Sequence, residues 1–116
     1  MRISSSSFDG YIESGMRALR HLKSYRKIAR RIKRIVTEKC GDAKVLVFGS
    51  VVEGKVTALS DIDILVICDL DEDERVRLKS EIYRKLGYDL PIELHIASEK
   101  EFQGWYRRFI GKFEEI

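Results

Sequence analysis

Phe48-Gly49-Ser50, ten intervening residues, and then Asp61-Ile62-Asp63 constrain this chain more than any other feature of its sequence. Two short apolar runs read as strands, Lys44 to Phe48 (KVLVF) before the turn and Asp61 to Cys68 (DIDILVIC), which the pair of acids opens. Alternate residues of a strand share a face, so Asp61 and Asp63 are expected to project together. Like charges held side by side cost energy unless a cation sits between them. A charged residue in an Ile/Leu/Val strand is also expensive unless it is paired or bound to metal. The connector is short, so the end of the first strand and the start of the second meet only if the strands run antiparallel.

The rest of the chain supplies alternating helices and strands. A helical pattern runs from about Tyr11 to Cys40, with a break expected near Ser24. Leu19, Leu22, Ile28, Ile32, Ile35 and Val36 recur at three- and four-residue steps and form its apolar stripe. Gly41 supplies a stop. Asp71 or Asp73 is placed to cap a helix ending near Leu86, and Pro91 to Ile96 (PIELHI) reads as a third strand. Ser98-Glu99-Lys100-Glu101 is a capping box, opening a last helix whose inner face should hold Phe102, Trp105, Tyr106, Phe109 and Ile110. The order is α-β-(short α)-β-α-β-α, an α/β (α+β) class with a small mixed three-stranded sheet flanked by helices. Residues 1–116 are expected to form one domain, with 1–10 loose and 11–40 a basic helical segment.

Charge and composition narrow the function classes. Residues 1–44 hold 12 Lys/Arg against 4 Asp/Glu, whereas 45–116 hold 10 against 15, so the formal charge of +3 joins a basic helix to an acidic remainder. Nine basic residues fall between Arg17 and Arg34, chiefly the solvated face of an amphipathic helix, with a nucleic-acid or acidic protein partner as the alternative. No apolar run reaches the roughly 20 residues of a membrane span, and a serine tract stands where a signal peptide needs apolar residues. A cytoplasmic location without membrane attachment is the expectation. Cys40 and Cys68 read as reduced structural thiols. The absence of Asn and the presence of a single Gln among 35% charged residues suit a thermophilic source.

Glu93 lies in the middle of the third strand, and if that strand neighbours the second it joins the face of the aspartates. Three carboxylates on adjacent strands bring hard oxygen ligands of the kind that bind Mg²⁺ or Mn²⁺. Gly49 allows close backbone approach by a phosphate, and Ser50 adds a hydroxyl at the start of a helical turn. His95 shares the face of Glu93, as a supporting partner or as an ordinary packed imidazole. The bland alternative for Asp61 and Asp63 is protection of an exposed strand end against aggregation.

The segment FGSVVEGKVTALSDIDILVI resembles the signature of polymerase-β-type nucleotidyltransferases, in the single-domain group known as minimal nucleotidyltransferases. The resemblance covers about Ile28 to the C-terminus. It implies the nucleotidyltransferase fold and two-metal transfer of a nucleoside monophosphate, AMP from ATP or its equivalent from another nucleoside triphosphate, to an acceptor hydroxyl. By the same resemblance Gly49 and Ser50 hold the β- and γ-phosphates. Asp61 and Asp63 bind the metals, and Glu93 completes one metal site and helps draw the acceptor's proton. Many minimal members carry arginines shortly after the Gly-Ser. Here Val51, Val52 and Glu53 stand there, and Lys55 is the replacement cation. The resemblance also implies a helical toxin-like protein partner, with this chain as its antitoxin, or else a homodimer. The competing functional reading is a catalytically weak module that docks or neutralises a partner by contact.

Overall fold

The computed structural model describes residues 12–13, 15–16, 19–57 and 59–116. The segment 1–10 and Arg17 lie outside the described residues.

Helix α1 spans Tyr25–Cys40 and comes after a helical stretch at 19–23 from which Ser24 separates it. Ser24 occupies the cap position, yet its hydroxyl makes no capping bond; its carbonyl accepts from Lys27 N–H at 3.0 Å instead. The apolar stripe does what its spacing predicts, with Ile28, Ile32, Ile35 and Val36 buried and Arg30, Arg31 and Arg34 on the outer side. Gly41, at φ +66°, closes the helix by donating to the Thr37 carbonyl at 2.9 Å.

Strand β1 (Lys44–Phe48) leads through the single-turn helix α2 (Ser50–Glu53) to strand β2 (Ile62–Ile67). Next come α3 (Glu72–Leu86) and β3 (Ile92–Ala97). Asp71 caps α3 in a reciprocal box with Glu74. As the short connector demands, β1 and β2 are antiparallel, with Phe48 opposite Asp63. The α3 crossover returns β3 parallel to β2, with Asp63 opposite Glu93 and Leu65 opposite His95. The two sheet faces differ. Val45, Val47, Ile64, Val66 and Leu94 pack under α1 and α3 in the main core. Leu46, Leu65, Ile67 and Ala97 face a smaller cluster with Phe102 and Ile110 of the C-terminal segment. Asp63, Glu93 and His95 lie on this second face, beyond the edge of its apolar cover.

The mixed sheet and flanking helices hold as expected, but the sheet has four strands rather than three, in the order β3-β2-β1-β4. β4 is Phe113–Glu115, antiparallel to the open edge of β1. Its Phe-Glu-Glu sequence has no period-two apolar run to announce a strand. Side chains secure it: Tyr25 donates to Glu114 Oε2 at 2.9 Å and Arg26 donates to Glu114 Oε1 at 2.5 Å.

The C-terminal helix departs from its sequence pattern. It starts as α4 (Glu99–Glu101), capped by Ser98 Oγ accepting from Glu101 N–H at 3.1 Å. It widens into a π-helical turn over Phe102–Tyr106 and ends as α5, Arg107–Phe109. The wider turn rotates the later side chains away from the positions a 3.6-residue period would give them. Phe102 and Ile110 are buried and Tyr106 is half-buried, whereas Trp105 and Phe109 are 56% and 74% exposed. The inner-face assignment of Trp105 and Phe109 is therefore corrected.

Arg75 stitches this segment to the sheet. It donates from Nε to Leu70 O at 3.0 Å, from Nη1 to Ile96 O at 3.3 Å and from Nη2 to Glu101 Oε1 at 2.6 Å. The guanidinium holds the Glu101 carboxyl down at about 2. A depressed carboxylate adds stability above its unfolded value, and that stability is lost as pH falls toward the folded value. Arg75→Ala should cost about 1–2 kcal/mol in urea unfolding at pH 7, since the pair is partly exposed but also satisfies two carbonyls. The gap from wild type should narrow between about pH 4.5 and 2.

Burial and a hydrogen bond with Cys40 push the Cys68 thiol up to about 12, and both cysteines are free, in line with their reading as structural thiols. Among the described residues no helix is long and apolar enough to cross a membrane.

Candidate active site

Gly49 ends β1 and begins α2 with φ +79° and ψ −154°, a backbone state essentially restricted to glycine. Its carbonyl accepts from Val52 N–H and Glu53 N–H at 3.1 Å each. A Cβ on Gly49 would overlap Asp63 Oδ2 and lie 3.2 Å from Asp63 Cγ. The turn is thus pressed against the strand-borne carboxylate, and only a residue without a side chain permits it. Ser50 comes next as the first residue of α2. Gly54, at φ +75°, ends the helix, and Lys55 is exposed just beyond it with its N–H on the Ser50 carbonyl at 3.0 Å.

Asp63 sits half-buried on β2 directly beside Glu93 on β3. Its carboxyl is pushed up to about 6, first by burial, then by a hydrogen bond with Glu93, then by the charges of Glu93 and Asp61. Two carboxylates this close bind one proton between them or attract a cation. His95 Nε2 lies 3.5 Å from Glu93 Oε1, and one ligand atom from each of Asp63, Glu93 and His95 falls within 4.8 Å of the others. Asp61 is exposed and stands outside that group. It precedes Ile62, the first residue of the ladder, so strand pairing does not fix it. Its charge nonetheless reaches Asp63.

The two expected acids Asp63 and Glu93 therefore come together, with Asp61 at their margin and the Gly49 turn in contact. Two carboxylates and an imidazole fit Mg²⁺ or Mn²⁺, the nitrogen ligand tilting the set toward Mn²⁺. His95 is the member the sequence placed less firmly; its position two residues after Glu93 was the available signal. Beside the acids a cavity of about 260 Å³ is walled by Phe48, Tyr106, Trp105 and Phe109. A larger hollow of about 900 Å³ lies between α1 and the chain end. Glu114 there is already tied to Arg26 and Tyr25, so its size alone does not make it the site of chemistry.

The model of the nucleotidyltransferase domain matches residues 29–116. The chain belongs to this family. Two solved structures agree in fold with this nucleotidyltransferase. The crystal structure of a candidate nucleotidyltransferase is 33% identical over 75% of this chain and 95% of its own, with a TM-score of 0.63. A candidate nucleotidyltransferase from Sulfolobus solfataricus, solved at 1.40 Å resolution, is 24% identical over 90% of this chain and 83% of its own, with a TM-score of 0.57. No curated protein matches the chain. The mixed sheet of this nucleotidyltransferase domain carries the carboxylate pair on β2 and its parallel neighbour β3.

Proposed function

We propose that this domain transfers a nucleoside monophosphate, AMP from ATP in the simplest case, to an acceptor hydroxyl with release of pyrophosphate. The observation that carries the reading is the half-buried Asp63 held between Glu93 and the backbone of Gly49. Asp63 and Glu93 would hold the cation, with His95 beside them and Asp61 joining from the strand's approach. A divalent cation bound there supplies charge neutralisation of the phosphates and activation of the reacting oxygens. Gly49 and Ser50 bind the β- and γ-phosphates through backbone N–H groups and a hydroxyl, and exposed Lys55 adds a positive charge at the outer end. The bare glycine is what suits the turn to a phosphate, because a four-residue helix has little dipole of its own. Glu93, exposed at the open side of the pair, takes the proton of the acceptor hydroxyl.

The acceptor in this proposal is carried by a partner protein, the toxin-like subunit that the sequence resemblance suggests, and the domain acts as its antitoxin. Incubation of the co-purifying proteins with ATP labelled at the α-phosphate, with Mg²⁺, should move label onto a hydroxyl-bearing acceptor. Label transfer that persists in Asp63→Asn would overturn the catalytic reading. Val51-Val52-Glu53 after the turn, where positive charge would help a triphosphate, favours the contact-only module as the second reading. In that case Asp63→Asn leaves partner binding intact and no label moves in the wild type either.

A further inference from the structure

The exposed rings of the C-terminal segment form a corner that opens onto the carboxylates. Trp105 and Phe109 stack with centroids 5.1 Å apart and planes 16° from parallel. Tyr106 meets Trp105 edge-on, at 4.6 Å and 82°. Tyr106 in turn contacts His95 at 6.3 Å, which links the corner to Glu93. Single exposed apolar residues need no explanation, but three contiguous rings sharing one cavity with two acids call for a ligand. Trp105 and Phe109 stand in water, and Tyr106 half so, because the π turn rotates them out of the core, so the feature is built into the backbone.

We infer that Trp105, Tyr106 and Phe109 form the platform on which the base of the nucleotide substrate stacks. The inference rests on reading Asp63 and Glu93 as the transfer site. The cavity's 260 Å³ is small for a whole nucleoside triphosphate but suits a planar ring. Phe48, next to Gly49 in the chain, lines the same cavity. A nucleotide with its outer phosphates on the Gly49 turn and its α-phosphate at Asp63 thus has an apolar, ring-lined space for its base. The aromatic walls offer stacking faces, with the Tyr106 hydroxyl as their one side-chain hydrogen-bonding group besides the indole N–H. Selection should therefore track stacking area, purines above pyrimidines, with little distinction between adenine and guanine.

Trp105 is the only tryptophan of the chain, so its fluorescence reports on this corner alone. With Mg²⁺ present, ATP should quench that emission, while inorganic tripolyphosphate should bind by calorimetry without quenching. Trp105→Ala, a change at a mostly exposed position, should weaken ATP about tenfold or more and leave tripolyphosphate unaffected; Trp105→Phe should recover most of the loss. ATP binding with unaltered emission and unaltered affinity in Trp105→Ala overturns the platform and leaves the transfer site standing. Binding of neither ATP nor tripolyphosphate in Mg²⁺ overturns both.

Discussion

Asp63→Asn should abolish nucleotidyl transfer and at the same time make the metal-free protein harder to unfold. The first effect comes from removal of the one half-buried negative charge among the ligand atoms. Loss on the order of a thousandfold in kcat/KM is expected, equivalent to about 4 kcal/mol of transition-state stabilisation. The second effect comes from linkage. Asp63 has its carboxyl pushed up to about 6, above the ordinary 3.8, so its contribution to stability falls as pH rises from about 4 through 6. At pH 7.5 the native state therefore carries a penalty that an uncharged amide, able to donate to Glu93, removes. Because the group is partly open to water, the gain should be about 1–2 kcal/mol rather than the full value of the shift. Urea unfolding in EDTA at pH 7.5 checks this, and the gain should vanish near pH 4.

Gly49→Ala should be the most damaging alanine substitution among the described glycines. Its new methyl group meets two obstacles, a φ of +79° with extended ψ and the oxygen of Asp63. Either the turn or the carboxylate must shift, so both stability and transfer should suffer. A loss of about 2–3 kcal/mol is expected from strain together with a displaced charge. Gly54→Ala separates the two causes. That glycine also has positive φ, at +75°, but a Cβ there meets nothing within 4 Å. It should cost about 1–2 kcal/mol by conformation alone and leave catalysis close to wild type. Equal loss of transfer in the two variants would mean that contact with Asp63 is not what makes Gly49 necessary.

Much of the architecture is legible in the sequence because its signals are local. KVLVF and IDILVI are short apolar runs bounded by turns, and Asp71 and Ser98 open their helices with reciprocal caps as their spacing suggests. Connector length dictates the antiparallel start, and a third strand beside the second is what brings Glu93 to Asp63. The features that escape a reading of the sequence depend on tertiary context. β4 exists because an open edge of β1 and the side chains of Tyr25 and Arg26 receive Glu114, which no propensity of Phe-Glu-Glu records. The π turn at 102–106 defeats any fixed helical period, so Trp105 and Phe109 read as core from a correct pattern and an incorrect pitch. Asp61 and Asp63 share a strand face in principle, yet only the second is inside the ladder and held in the cluster.

The arrangement ties function to a local cost. Burial of Asp63 beside Glu93 raises its carboxyl in the metal-free fold, and in the proposed function the same proximity of oxygens would serve a cation. Calorimetric titration of Mn²⁺ into the wild type, Asp63→Asn and Glu93→Gln, all at pH 7.5, tests that link most directly. Binding in the wild type that weakens at least about tenfold in each variant is the expected result. Equal Mn²⁺ affinity in all three proteins would contradict the account, because the cation would then be held elsewhere or not at all.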